Sequence, residues 1–453
     1  MRGALGGALR AISSTESASY SSALATSATL EPGTSSTATA AALPRISPLV
    51  QAPQPLIQSQ LTQPLPQQPH APSIQYSPHK SFYAKDLEII EAQGSQLQVK
   101  PEVGVPLKFG HVYSDHMLET DWNEERGWTR PIISPMHDFR IHPGSKVLHY
   151  AIQLFEGMKA YRGVDNQIRL FRPELNMTRM RRTAERSALP DFSADELIKI
   201  IGELVHLDRE WVPYSSTSSL YLRPTMIGTD NTLGVGHPRD AKLFVLTGPV
   251  SAYYSTGFQP ITLYADGSHV RAFPGGVGAY KMGCNYAPTI LVSKRATELG
   301  CQQVLWLYDN DEKITEVGTM NIFIYWKNGH GEDELVTPPL DDGLILPGVT
   351  RISLLELARE RTRLRVSERY PTMAELRQAL ADKRVRQIFG AGTACVVSPV
   401  GRILYRNPKT DQYEKWEIPT MDGNSNLMQV LHDTIVDIQY GRIDKPEWVY
   451  IVE

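Results

Sequence analysis

The segment GGVGAYKMGCNY, from Gly275 to Tyr286, sets four glycines around Lys281 just ahead of a helix-like stretch, APTILVSKRATEL. Glycine lets a backbone turn tightly and approach a ligand, and a lysine in such a wall can be desolvated, which lowers its hold on a proton. The result is a usable amine. Tyr280 precedes Lys281 where a Walker A loop needs glycine, and the third glycine of G-x-G-x-x-G is absent. On composition alone, a glycine-rich turn with an exposed lysine is the simpler reading. In KITEVGTMNIFIYW, Glu316 interrupts an apolar run; a buried carboxylate there needs a cation, unless the strand edge exposes it. In LILPGVTRISLLELARE, Gly348, Val349 and Thr350 open an amphipathic helix whose free N–H groups and dipole suit an anion, although most helix starts bind only water. FGAGTAC, residues 389 to 395, is a small-residue loop that admits close backbone approach.

The elements that must position these residues alternate between strand-like and helix-like patterns, which predicts a mixed α/β fold. Apolar spacing predicts a helix over 194–208, with others over 287–299, 349–363 and 372–382. SLYLRPTMIG, KLFVLTGPV, ITLYAD, QVLWLYD, ITEVGTMNIFIYW and QIFGAGTACVVSPV read as strands. The 453 residues suggest two or three domains at about 150 residues each. Residues 81–453 carry 42 basic against 47 acidic side chains, which offers no excess for a nucleic-acid backbone. Cys284, Cys301 and Cys395 are too few and too far apart for a disulfide framework or a metal site. No stretch of 18 or more residues is predominantly apolar and uncharged, so no membrane span is expected.

An amine, a buried carboxylate and an anion-binding helix start together meet the needs of pyridoxal phosphate: a lysine to carry it, a counter-ion for its ring nitrogen and a cradle for its phosphate. The chain from Phe109 onward also resembles the eukaryotic type of branched-chain amino acid aminotransferase, in the fold-type IV class of pyridoxal phosphate enzymes. The resemblance rests on IQLFEGMKAY, RLFRPELNMTRM, SLYLRPTMIGT, GGVGAYKMGCNYAPT, ITEVGTMNIF, LILPGVTR and FGAGTAC. It implies a smaller N-terminal α/β domain and a larger C-terminal domain with a barrel-like sheet. D-amino acid aminotransferases and aminodeoxychorismate lyases share the lysine and glutamate, but the FEGMKAY and YLRP segments argue against them.

By this resemblance Lys281 carries the cofactor, Tyr286 bonds its phenolic oxygen and Glu316 pairs with the ring nitrogen. Arg179 takes the phosphate with Val349, Thr350 and Thr393, and Arg271 is a further basic residue near that end. Thr319 and Ala394 hold the substrate carboxylate. Phe155, Tyr221, Tyr253 and Tyr150 form an aromatic cage, Tyr150 reaching over from the partner of a homodimer, and Arg223 receives a distal carboxylate. The implied reaction is ping-pong transamination of leucine, isoleucine and valine with 2-oxoglutarate. Vertebrate members carry a second cysteine where this chain has Ser398, three residues after Cys395, which puts a disulfide switch in doubt.

Residues 1–42 are Ala-, Ser- and Thr-rich with Arg2 and Arg10 ahead of the first acid, Glu16, and read as a mitochondrial presequence, with the cytosol as the alternative. A Pro- and Gln-rich, disordered linker is expected over 43–82. The expected domains are 83–250 and 261–453, joined by 251–260.

Overall fold

The computed structural model describes residues 81–102, 105, 107–251, 259–423 and 425–453. The expected presequence, nearly all of the expected linker 43–82, and positions 252–258 of the expected interdomain segment, Tyr253 among them, lie outside the described residues.

Period-two alternation organises the first sheet. In the strand Ser219–Gly228, Leu220, Leu222 and Met226 are fully buried, while Tyr221, Arg223 and Thr225 between them are half-buried. The two sets therefore face opposite sides of the sheet. On one flank this strand pairs with Asp240–Val250, beyond which lie His116–Asn123, Ile132–Pro135 and Glu88–Ile89. On the other come Met158–Arg162, Ile168–Phe171 and, from the C-terminus, Val449–Val452. The sheet is antiparallel except at Glu88–Ile89, which runs parallel to Ile132–Pro135.

The fully buried face packs on two helices, Pro173–Arg186 and Ala194–Leu207, through Met177, Met180, Leu197 and Ile201. Ala194–Leu207 matches its expectation, and its N-cap Ser193 side chain accepts the Glu196 N–H. Pro173–Arg186 was not expected. Its inner face carries Asn176, Arg179 and Thr183 as well as apolar groups, which breaks the apolar period.

The second sheet closes on itself. Six strands, Lys313–Val317, Gln303–Tyr308, Ile261–Ala265, Val396–Arg406, Val385–Gly392 and Met320–Lys327, pair in that order, and the last pairs back onto the first at Glu316↔Asn321 and Val317↔Met320. The result is the barrel-like sheet that the resemblance implies, with Ile314, Ile322, Ile324, Ile388 and Ile403 in one apolar cluster. Three expectations of continuous structure need correction or trimming. ITEVGTMNIFIYW folds back at Gly318, whose φ of +55° suits a tight hairpin turn. QIFGAGTACVVSPV folds back through Thr393–Cys395 into Val396, at φ +59°. The helices expected over 287–299, 349–363 and 372–382 are Thr289–Glu298, Val349–Arg361 and Met373–Ala381. Because Asn321 sits opposite Ala391 in the ladder, the two hairpin turns lie side by side at one end of the barrel.

Candidate active site

Lys281 is held from two directions. Its backbone carbonyl accepts the Phe155 N–H at 3.1 Å, and its own N–H donates to Thr183 Oγ1 at 3.2 Å. The Thr183 hydroxyl in turn donates to the Arg179 carbonyl one helical turn back. Lys281 Nζ donates to Tyr286 Oη at 3.1 Å and stands 4.5 Å from the centre of the Phe155 ring, which meets Tyr286 edge-on. Gly283 lets the strand Gln153–Phe155 pack against this segment, since a Cβ there would meet Gln153 Nε2 at 2.0 Å. The amine opens into a cavity of about 290 Å³, near the lower end of the range typical of small-molecule sites, roughly 300–1,000 Å³.

The same cavity is lined by Arg179 and by Val349 and Thr350, the first residues of Val349–Arg361. Gly348 caps that helix without a side-chain hydrogen bond, so the backbone N–H groups of the first turn remain available to an anion. Arg179 is aimed by Glu156, with Nε at 2.7 Å from Oε1 and Nη2 at 2.8 Å from Oε2, while Nη1 donates to the Pro347 carbonyl at 3.0 Å. Asn176 Nδ2 adds a bond to Glu156 Oε2 at 2.9 Å. Burial of Glu156 would push its carboxyl up, but Arg179, with help from Lys281 and Asn176, outweighs that and holds it below the ordinary range. Glu156 escaped the reading of the sequence, although an acid inside IQLFEGM is the same signal that marked Glu316.

Of the two alternatives that the pattern left open, Glu316 is buried rather than exposed at a strand edge, and its cation is Arg271, with Nε at 2.8 Å from Oε2. The resemblance put Arg271 near the phosphate end; the structure places its guanidinium on Glu316 and against the Leu344 carbonyl. Glu316 Oε1 accepts from the Leu346 N–H at 3.0 Å and from Asn321 Nδ2 at 3.2 Å. Burial raises the Glu316 carboxyl, with Arg271 the chief opposing charge. Asn321, also missed from sequence, links this carboxylate to the Leu346 carbonyl, to which its Nδ2 also donates at 2.9 Å, and its Oδ1 lies so near Gly348 that a Cβ there would meet it at 2.1 Å.

The hairpin turns supply Thr319, Thr393 and Ala394 to the rim, and the alternating strand supplies Tyr221 and Arg223. Arg223 Nη2 donates to Tyr221 Oη at 3.0 Å, its guanidinium lies 4.8 Å from the Phe155 ring, and its buried Nε has no partner among the described residues. Phe109, not among the expected site residues, packs edge-on to Tyr221. Tyr150 does not line this cavity; it ends the short helix Lys146–Tyr150, half exposed, and its hydroxyl donates to the Leu233 carbonyl.

Residues 153–403 match the model of the amino-transferase class IV family, so the chain is a class IV aminotransferase. It is 62% identical over 375 residues to the cytosolic branched-chain-amino-acid aminotransferase of Caenorhabditis elegans, covering 83% of this chain and 90% of that one. Against the mitochondrial branched-chain-amino-acid aminotransferase of Bos taurus it is 51% identical over 362 residues, 80% of this chain and 90% of the other. Within its class the chain thus belongs to the branched-chain-amino-acid aminotransferases, and its substrates are amino and oxo acids. Among solved structures, the branched-chain amino acid aminotransferase of Escherichia coli shares the fold at a TM-score of 0.58 and 24% identity, over 74% of this chain and 99% of that one. That of Thermobaculum terrenum, solved in its PLP-form, gives 0.58 at 20% identity, over 76% and 100%. Relatives named cytosolic and mitochondrial both match, and no helix among the described residues is long and apolar enough to cross a membrane.

Proposed function

We propose that the cavity holds pyridoxal 5'-phosphate and interconverts leucine, isoleucine and valine with their 2-oxo acids, using 2-oxoglutarate and glutamate as the second pair in a ping-pong cycle. The observation that carries this reading is Lys281 Nζ, 3.1 Å from Tyr286 Oη, in a cavity also lined by Arg179 and a helix start. Lys281, Lys159, Arg179, Arg223 and Arg271 stand in or against its walls, and among the described residues Glu156 and Glu316 pair with Arg179 and Arg271, a balance suited to a phosphate and a substrate carboxylate.

Bound there, pyridoxal phosphate supplies a protonated ring that accepts the electrons left on the substrate α-carbon. Arg179, Thr393 and the N–H groups of Val349 and Thr350 hold the phosphate. Tyr286 holds the phenolic oxygen, and Glu316, kept in place by Arg271 and Asn321, holds the proton on the ring nitrogen. Lys281 Nζ takes the proton from the substrate α-carbon. Thr319 and Ala394 position the α-carboxylate.

Phe155, Tyr221, Tyr253 and the partner subunit's Tyr150 form the apolar cage of a homodimer. Such a wall separates side chains by about 1–3 kcal/mol per methylene, which accepts all three branched chains. Arg223, with its unpartnered Nε, receives the distal carboxylate of 2-oxoglutarate. Residues 1–42 direct the protein to the mitochondrial matrix. The test is a donor panel of leucine, isoleucine, valine, D-alanine and phenylalanine with 2-oxoglutarate, run beside Lys281→Ala. Fast turnover of the three branched L-amino acids, abolished in the variant, is expected; equal turnover of D-alanine, or activity surviving in the variant, would sink the reading.

A further inference from the structure

A second cavity, of about 340 Å³, backs onto the first and shares Ala394 and Cys395 with it. Its mouth is at the exposed Ser216 and Thr217, and Val396, Val397, Val436 and Tyr440 give it an apolar lining. Lys159 lies within it, 7% exposed, and its ammonium donates to the Ala394 carbonyl at 2.8 Å. No carboxylate pairs with Lys159 among the described residues, and burial lowers its pKa to about 8. The neighbouring Cys395 thiol is pushed up to about 11, so it stays neutral and provides no counter-charge. Two further groups in the lining, Ser398 Oγ and Gln439 Oε1, are buried without a partner among the described residues, on residues 2% and 4% exposed.

A buried cation without a counter-ion and a buried hydroxyl without a partner are each unfavourable, and a bound carboxylate relieves both. We propose that this cavity is a second small-molecule site, which takes a monocarboxylate with a short apolar tail. The Lys159 ammonium and the Ser398 hydroxyl donate to the carboxylate, and the Gln439 amide, turned end for end, donates through its NH₂ group. The tail lies against Val396, Val397, Val436 and Tyr440. Occupancy draws on the ammonium that now holds the Ala394 carbonyl, and so acts on the wall common to both cavities.

The test uses holoenzyme reduced with borohydride in the presence of L-leucine, so that the covalent cofactor adduct fills the first cavity, followed by calorimetric titration with 3-methylbutanoate. One saturable site per chain is expected, with affinity at least ten-fold weaker for Lys159→Met, weaker also for Gln439→Leu at unchanged turnover, and at least ten-fold weaker for acetate. Absence of saturable binding, equal affinity in both variants, or equal binding of acetate would overturn the proposal. Failure of the adduct to form would count against the cofactor chemistry proposed for Lys281 alone, and the same criteria then apply to the untreated protein, where Gln439→Leu must weaken one site.

Discussion

Replacing Glu156 by glutamine separates the role of Arg179 in holding the fold from its role in holding a phosphate. In the native chain Arg179 places Nε at 2.7 Å and Nη2 at 2.8 Å from the two carboxylate oxygens, and both side chains are buried. Glutamine keeps the shape and one acceptor, but it removes the charge and turns an NH₂ donor toward a guanidinium. Breaking a buried ion pair from one side costs roughly 3–5 kcal/mol. The cofactor-free protein should lose all of that. With the cofactor bound, its phosphate stands in as counter-ion, which should recover about 1.5–3 kcal/mol, the strength of a hydrogen bond to a charged group. Urea unfolding of both forms reads the difference directly, as a gap between them that is wider in the variant than in the native protein. There is also a pH signature. Despite burial, Arg179 holds Glu156 below its ordinary 4.5, so the pair stabilises fully above that pH and its contribution is lost as pH falls below it. The variant should lack this acid-labile component. Equal losses in the two forms would refute the placement of phosphate beside Arg179, and no loss in either would refute the pair itself.

Glu316→Gln should lower kcat by at least about 10²-fold, the smaller end of what a positioned acid or base contributes; steady-state rates with leucine check this, and near-native turnover would contradict it. Arg223→Met should raise KM for 2-oxoglutarate by about 10-fold or more while KM for leucine moves little, since only the first substrate needs the charge-assisted bond. Gly348→Ala drives a Cβ to 2.1 Å from Asn321 Oδ1, and should cost about 1–3 kcal/mol of stability as an overpacked site, together with faster loss of cofactor on dialysis. Cys395, pushed up to about 11 by burial, should react slowly with a thiol reagent at pH 7.5; rapid labelling at that residue would show that the hairpin opens.

The chemistry was legible where one residue type stood against its surroundings. Lys281 among glycines and Glu316 inside an apolar strand both lead to the cavity, and SLYLRPTMIG, read as a strand, is the strand that brings Tyr221 and Arg223 to it. The groups that hold those residues were less visible. Asn321 is one more polar residue in a strand until the closure of the barrel sets it beside Glu316. Glu156 acquires its meaning from a helix 23 residues further on, whose polar inner face hid it from an apolar-period reading. Arg271 shows the limit of carrying a role across by motif, since a basic residue in the right segment is claimed by whichever buried carboxylate lies nearest. The two hairpins failed as straight strands because β-rich runs say little about a tight turn inside them; Gly318 marked one, and the small-residue run FGAGTAC marked the other, whose turn is only its last three residues.

The account stands or falls on Lys281. Reduction of the purified protein with borohydride, without added amino acid, followed by peptide mass spectrometry, locates the lysine that carries the cofactor. The expected result is a phosphopyridoxyl group on the peptide containing Lys281 and on no other. A group on Lys159, the other lysine buried against these walls, or no modified peptide from protein that turns over leucine, would contradict it.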